Sequence, residues 1–147
     1  MFINQSIMSQ TTPAYTFGDC VGSLATISNA NIQSPSYWML DSVLCKDHKR
    51  TGLSGEILFF DSVPAYTNFT DNQPLELDIR DLDKLIGIQS ISSANWLNVS
   101  TQALQTIDAQ DMPLEGKPGI SLALRLNSSS ITFASQSAIS LGLSIHR

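Results

Sequence analysis

Apolar and polar residues alternate along short segments of this chain, with the two-residue period of β-strands. The clearest segments are 120–127 and 139–146, where every second residue is Ile or Leu. Eight or nine short strands are predicted, each bounded by Gly, Pro, Asn or Ser, and no amphipathic helix of ten residues is evident. This pattern predicts an all-β fold, namely a β-sandwich with a jelly roll as its expected form. The strands are expected at 20–27, 37–45, 56–60, 88–91, 95–99, 103–107, 120–126, 131–133 and 139–146.

Residues 1–14 differ in pattern from the rest of the chain, because their apolar residues are scattered among polar ones. Pro13 disfavours helix in the residue before it, so this segment is predicted to be an extended N-terminal arm, followed by a single domain over 15–147. Such an arm can add a strand to the edge of a neighbour's sheet. Its expected partner contacts are Phe2, Ile3, Ile7 and Met8, together with Tyr15 at its end.

The middle of the chain combines a predicted hairpin with a long loop. The short connection from Lys46 to Gly55 predicts that strands 37–45 and 56–60 pair with each other. A loop of about a dozen residues, 61–74, is long enough to be ordered by its own packing or to carry function. The alternation over 75–80 then predicts a half-buried strand, although residues 80–86 also suit a single helical turn ended by Gly87.

Composition limits the partners of this domain. Charged residues are only 14% of the chain and the net charge is −5. Nucleic acid is therefore not an expected partner, because its binding depends largely on cationic groups. No apolar run approaches the ~18 residues of a membrane-spanning helix, so no membrane association is predicted either.

The residue types that carry catalysis are scarce and poorly placed. The two histidines are His48, in the basic turn 46–50, and His146, near the end of the chain. Neither is predicted to be held beside a nucleophile as a catalytic triad requires. Among the clustered acids, Asp61 and Asp71 are expected to build turns, and Asp78 is expected to face outward on the strand over 75–80. Asp81 and Asp83 are expected to lie in a turn or at a helix start, so neither a calcium site nor a glycosidase pair is predicted. No enzyme activity, metal or cofactor is predicted.

Two cysteines and eleven aromatic residues complete the candidates. Cys20 and Cys45 lie in apolar runs and are expected to be buried thiols, with a disulfide between neighbouring strands as the alternative. Most aromatic side chains are expected to fill the core. Tyr66 and Phe69 lie in the long loop instead, where they could anchor it to this domain or to a partner. A sugar-stacking role for Trp38, Tyr66 or Trp96 is an alternative.

Several segments resemble a known family. They are Tyr15-Thr16-Phe17-Gly18-Asp19-Cys20-Val21-Gly22, the block 59–64 followed by Phe69-Thr70-Asp71-Asn72, and the terminal strand 141–145. Together they are similar to small virion proteins of tailed bacteriophages, over most of the chain after residue 14. Trp38 and the turn 46–50 depart from the family pattern, so no role is carried over to them.

The resemblance implies a virion protein on the capsid surface. Its expected function is that of a capsid decoration (cement) protein that binds the major capsid protein and stabilises the shell. A trimer would present three weak contacts at once, with gains of about 10² to 10⁴ over a single contact. A tail, neck or fibre component and a carbohydrate-binding module are the alternative functions.

Overall fold

A computed structural model describes residues 1–27, 38–114, 120–128, 130–136 and 138–146. Eleven strands and two short 3-10 helices lie in these ranges, and the predicted all-β class is confirmed. The 3-10 helices are Ile79–Lys84 and Ser93–Asn95. The strands are β1 Phe2–Ile7, β2 Tyr15–Thr16, β3 Cys20–Ile27, β4 Trp38–Asp47, β5 Gly55–Phe60, β6 Leu85–Ile91, β7 Leu97–Val99, β8 Gln102–Leu114, β9 Ile120–Leu126, β10 Ser130–Ile131 and β11 Ile139–His146.

Two antiparallel sheets form the body. The five-stranded sheet has the order β1-β11-β4-β8-β7, and the four-stranded sheet has the order β3-β9-β5-β6. A separate two-stranded ribbon joins β2 and β10. Successive long strands mostly change sheet, so that β3, β4 and β5 lie in alternate layers.

The core lies between the two sheets. Buried side chains from both inner faces belong to one apolar cluster, because the alternating strands turn one side chain in two toward the other sheet. The five-stranded sheet contributes Val43 and Leu141, and the four-stranded sheet contributes Phe59 and Leu122, all at most 1% exposed. This sandwich-like arrangement fits the predicted alternation at these positions.

The four-stranded sheet also buries its outer face. Cys20, Leu58 and Phe60 point away from the main core and form a second apolar cluster with Leu75. The segment 61–78, here named the covering loop, supplies the residues that close this cluster. The covering loop is therefore a third layer of the structure.

Two sequence predictions about this region are wrong. β4 and β5 do not form a hairpin, because β4 pairs with β11 and β8 while β5 pairs with β9 and β6. The buried Asp47 carboxylate holds the connection as it passes between the sheets, accepting hydrogen bonds from the amides of Lys49 and Gly52 at 3.1 Å each. Residues 75–80 do not form a strand, because Asp78 instead caps the 3-10 helix that begins at Ile79.

Two further boundaries differ. β8 continues to Leu114 through a bulge at Gln110 and Asp111, which have positive φ angles of 53°, and so extends well beyond the predicted strand 103–107. The 3-10 helix ends at Lys84, so Gly87 lies within β6 rather than after a helical turn. Tyr37, the first residue of the predicted strand 37–45, and residues 115–119 lie outside the described residues.

Residues 2–7 of the N-terminal segment form a strand, β1, which lies against the domain itself. β1 is the outermost strand of the five-stranded sheet and pairs with β11 from Phe2↔Ser144 to Ile7↔Ile139. Ile7 is 2% exposed in the main core. None of the helices in the described part of the chain has the length and hydropathy that spanning a membrane requires.

Candidate interaction surface

The covering loop packs on the outer face of the four-stranded sheet through a few apolar side chains. Phe69 contacts Phe60 edge to face, with ring centroids 5.8 Å apart. Leu75 is buried in the same cluster, and Leu77 packs against it. The loop therefore has its own apolar anchors, as its length had suggested.

One buried carboxylate fixes the first half of the covering loop. Asp81 accepts hydrogen bonds from the backbone amides of Ala65, Tyr66 and Thr67, at 3.0, 3.0 and 2.7 Å, and from the Thr67 hydroxyl at 2.8 Å. Lys84 Nζ lies 3.3 Å from the same carboxylate. Burial raises the pKa of Asp81, but the hydrogen bonds from Thr67 and the loop amides lower it by more, so its net pKa lies below the usual range. The charged form of Asp81 thus holds three successive loop residues.

A second set of contacts fixes Tyr66, which lies in the first half of the covering loop. The Arg80 guanidinium lies 3.9 Å from the centroid of the Tyr66 ring. The same guanidinium donates through Nε and Nη2 to the Asp78 carboxylate, at 2.9 and 2.8 Å. These bonds lower the pKa of Asp78 to about 2. Tyr66 is therefore held in place while remaining 55% exposed.

Four large apolar side chains are exposed on this rigid unit. Val63 and Tyr66 belong to the covering loop, and Ile79 and Leu82 belong to the 3-10 helix that supplies Asp81. We name these four residues the apolar patch. Ile79 is 79% exposed, the highest value among the exposed large hydrophobic residues of the described chain. Exposed large apolar residues on one locally fixed segment make it a candidate interaction site.

A second carboxylate fixes the other half of the covering loop. Asp71 Oδ1 accepts hydrogen bonds from the Tyr15 hydroxyl at 2.6 Å and from the Gly22 amide at 2.7 Å. Asn72 donates through Nδ2 to the Pro13 carbonyl at 2.9 Å. Residues 15–22 and 69–72 are therefore in contact although they are distant in sequence.

The residues predicted to contact partners have different environments. Ile7 and Tyr15 are buried in the core, and Ile3 packs against it. Phe2 and Met8 are exposed, and the Phe2 ring lies over Gly142.

The positions of Tyr15 and Ile7 leave neither side chain exposed for the predicted partner contacts. Tyr15 is engaged with Asp71 and with the ring of Phe133, 5.2 Å away between centroids. Ile7 could meet a partner only if β1 left its sheet. In the covering loop, Tyr66 is exposed and Phe69 is half-buried.

The apolar patch was only partly foreseeable from the sequence. Tyr66 was identified because it lies in the long loop. Ile79 was missed because the alternation over 75–80 placed it, with Leu75 and Leu77, on the buried side of a strand. The change to a 3-10 helix at Ile79 turns that side chain outward, and the Asp78 cap two residues before Arg80 is the local signal for it.

His48, Asp71 and Asp81 could carry acid–base chemistry, but each makes its hydrogen bonds in a different part of the structure. His48 Nε2 lies 2.9 Å from Ser140 Oγ, so its imidazole is held beside a hydroxyl, which the sequence had not predicted. Among the described residues no carboxylate bonds the His48 ring, so a triad has no orienting acid there. Asp71 and Asp81, from the predicted acidic cluster, are occupied by hydrogen bonds to different parts of the chain.

One group of side chains has donor types that suit a divalent metal. Asp41, Asp111 and His146 come from β4, β8 and β11, and their ligand atoms lie within 4.8 Å of one another. All three residues are exposed, and His146 Nε2 lies 3.5 Å from Asp111 Oδ1. Two carboxylates and an imidazole are ligands that transition metals accept.

Both cysteines are unpaired and buried. Burial is the main reason that the pKa of each thiol is raised to about 12, with the charges of Asp71 and Asp19 adding to the effect at Cys20. The thiolate that would act as a nucleophile is therefore disfavoured at neutral pH.

Two of the candidate sugar-stacking residues are committed to the fold. Trp38 and Trp96 are partly buried and pack against the main core. Trp96 also donates through Nε1 to the Leu53 carbonyl at 2.8 Å. The third candidate, Tyr66, has one ring face covered by Arg80.

Comparisons with known proteins identify no relative: no protein-family model matches the chain, and no curated protein shows significant similarity to it. The geometry defines a fixed surface with exposed apolar side chains. Asp71 ties the covering loop to Gly22 of β3, and Asp81 ties it to the adjoining 3-10 helix. The loop and the helix present apolar side chains to solvent. A surface fixed before binding loses little conformational freedom when a partner covers it.

Proposed function

We propose that this protein is a bacteriophage capsid decoration protein that binds the major capsid protein through the apolar patch. The observation that carries the proposal is the exposure of Val63, Tyr66, Ile79 and Leu82 on a unit that Asp81 holds rigid. The adjacent Tyr66 and Arg80 are residue types enriched among those that dominate binding energy at interfaces. The resemblance to tailed-phage virion proteins supports the choice of partner.

We also propose that the sandwich is a jelly roll. In a jelly roll two Greek keys interleave, so that strands consecutive in the chain are distributed between two four-stranded sheets. The orders β1-β11-β4-β8 and β3-β9-β5-β6 support this assignment, with β7 added beside β8. Jelly rolls occur in viral capsid proteins and in lectins, so the topology agrees with a virion role without establishing one.

A trimer is the assembly we propose on the shell. Three copies of the apolar patch engaging together would multiply the effect of each contact through effective concentration. In this arrangement β1 stays in its own sheet. An arm role for residues 1–14 would require β1 to exchange places with the same strand of a neighbouring copy. Light scattering of the purified protein tests the assembly, since a monomer at all concentrations would contradict a stable trimer.

The binding surface is tested by comparing two exposed apolar residues in a rebinding assay. Ile79→Ala removes a patch side chain, and Leu97→Ala removes one of similar exposure from β7 in the other sheet. Burying most of the Ile79 side chain is worth about 2 kcal/mol, so its loss should weaken binding to decoration-free shells about thirtyfold per contact. Leu97→Ala should bind as the unmodified protein does. Equal binding by the folded Ile79→Ala variant would refute the assigned surface.

The location on the virion is tested by electron microscopy of particles that lack the gene product. We expect the loss of surface density on the capsid and a lower temperature of shell disruption. Density lost from the tail, neck or fibres would instead establish the alternative structural role. Unchanged particles would contradict both locations.

A further inference from the structure

A tight turn holds one phenylalanine away from the body of the protein. The Asp19 amide donates to the Thr16 carbonyl at 3.1 Å, and Asp19 Oδ2 accepts from the Thr16 amide at 2.7 Å and the Thr16 hydroxyl at 3.0 Å. Gly18 follows Phe17 with a φ of +89°, which type II turns require at their third position. Phe17 is 71% exposed on this turn. The turn therefore presents a large apolar ring to solvent.

Beside this ring lies a cleft of about 320 Å³ on the outer face of the four-stranded sheet. The covering loop leaves this end of the face open. Glu56 and Arg125, from neighbouring strands, form an ion pair in the cleft, and Glu76 and Asn127 also line it. Its volume is at the lower end of the range for small-molecule sites and suits one or two sugar rings. We name this site the Phe17 cleft.

The polar groups of the Phe17 cleft retain hydrogen-bonding capacity. Arg125 donates to Glu56 through Nε and Nη2, and both bonds go to Oε2, which leaves Arg125 Nη1 and Glu56 Oε1 available. In the described part of the chain, no group bonds the side chains of Glu76 and Asn127. Planar donors and acceptors therefore lie together beside one aromatic ring.

We propose that the Phe17 cleft binds an uncharged saccharide of one or two rings. The electron-rich face of Phe17 would stack on the C–H groups of a sugar, while Arg125, Glu76 and Asn127 bond its hydroxyls. Two carboxylates against one guanidinium, itself paired, disfavour an anionic ligand. The site is separate from the apolar patch, so it adds a ligand to the proposed shell protein and does not depend on that function.

The test uses the full chain and four sugars: methyl α-glucoside, methyl β-galactoside, N-acetylglucosamine and maltose. Each is titrated to about 20 mM while backbone amide shifts are followed by NMR, since a shallow cleft is expected to bind at about millimolar Kd. At least one sugar should shift the amides of Gly18, Glu76 and Asn127. Phe17→Ala should raise the Kd at least about tenfold, because it removes the stacking surface.

Phe2→Ala is the matched control, since Phe2 is also an exposed phenylalanine but lies on the other sheet. It should leave the Kd unchanged. The assignment is overturned if no sugar shifts these amides, or if Phe17→Ala binds the sugar as well as the unmodified chain does. It is equally overturned if trilysine, offered as a cationic peptide, shifts the cleft amides and the sugars do not. Shell rebinding by Phe17→Ala should stay normal, which separates this result from the test of the apolar patch.

Discussion

Gly142 is the position at which the attachment of β1 to the domain can be measured. A Cβ atom placed there would lie 2.2 Å from Cζ of Phe2, so Gly142→Ala must displace the ring. Phe2 is 52% exposed, which means that about half of its surface is covered. Since full burial of a phenylalanine is worth up to about 3 kcal/mol, losing this contact should lower the free energy of unfolding by about 1.5 kcal/mol.

A double-mutant cycle isolates this contact from the intrinsic preference of the backbone. Alanine is favoured over glycine in a strand by about 0.5–1 kcal/mol. Gly142→Ala should therefore be destabilising in the unmodified chain and slightly stabilising in a Phe2→Ala background. Urea unfolding of the four proteins gives the coupling energy, expected at about 1.5 kcal/mol. Phe17→Ala, which removes an exposed phenylalanine far from Gly142 in the sheet order, is the control and should show no coupling.

The same cycle distinguishes a sheet strand from an independent arm. If Gly142→Ala has the same effect with and without Phe2, then β1 is not docked on β11 in solution and the reasoning is refuted. A docked β1 also implies that deletion of residues 1–14 destabilises the domain, because it removes Ile7 from the core. An independent arm could be deleted without any loss of stability.

Three further predictions concern charge and burial. Asp81→Asn should accelerate amide hydrogen exchange throughout the covering loop, because it weakens the hydrogen bonds to the loop amides. Asp83→Asn changes a neighbouring exposed acid and should leave the exchange rates unchanged. Equal exchange in the two variants would contradict the proposed role of Asp81. The pKa of Asp78 is lowered from 3.8 to about 2, so its contribution to stability is complete above pH 3.8 and is lost as the pH falls through about 2. Carboxyl NMR should give a midpoint near 2, and a midpoint near 3.8 would show that the Arg80 contact is absent. Cys20 and Cys45 should resist iodoacetamide at pH 8 until urea unfolds the chain, because burial raises both pKa values to about 12; rapid labelling of the folded protein would contradict this.

The fold was largely predictable where a strand buries one face or both. The segments that became β3, β9 and β11 had the alternation or the small and β-branched residues of strands, and each lies within a residue or so of its expected position. The pairing of strands was less predictable. The short connection between β4 and β5 indicated a hairpin, but local sequence contains no signal for a chain that crosses to the opposite sheet.

The candidate surface was the least predictable part, because its exposure depends on contacts between distant residues. The sequence alternates with a two-residue period at Leu75, Leu77 and Ile79. In the structure, however, Leu75 is buried, Leu77 is half-buried and Ile79 is exposed. The reason is that Asp78 ends the extended segment and Asp81 then accepts amides from residues 65–67. Neither contact can be inferred from spacing alone.

In the covering loop and the adjoining 3-10 helix, the residues that anchor the segment differ from those that are exposed. This separation has a consequence for how the protein could change over evolution. Phe69 and Asp71 of the covering loop contact the four-stranded sheet, and Asp81 of the 3-10 helix holds the loop amides, while the side chains of the apolar patch face solvent. Recognition and folding therefore draw on different residues of the same short segment. A lineage could alter the patch to follow a changing partner while the scaffold beneath it stayed intact, and a designer could randomise those four positions for the same reason.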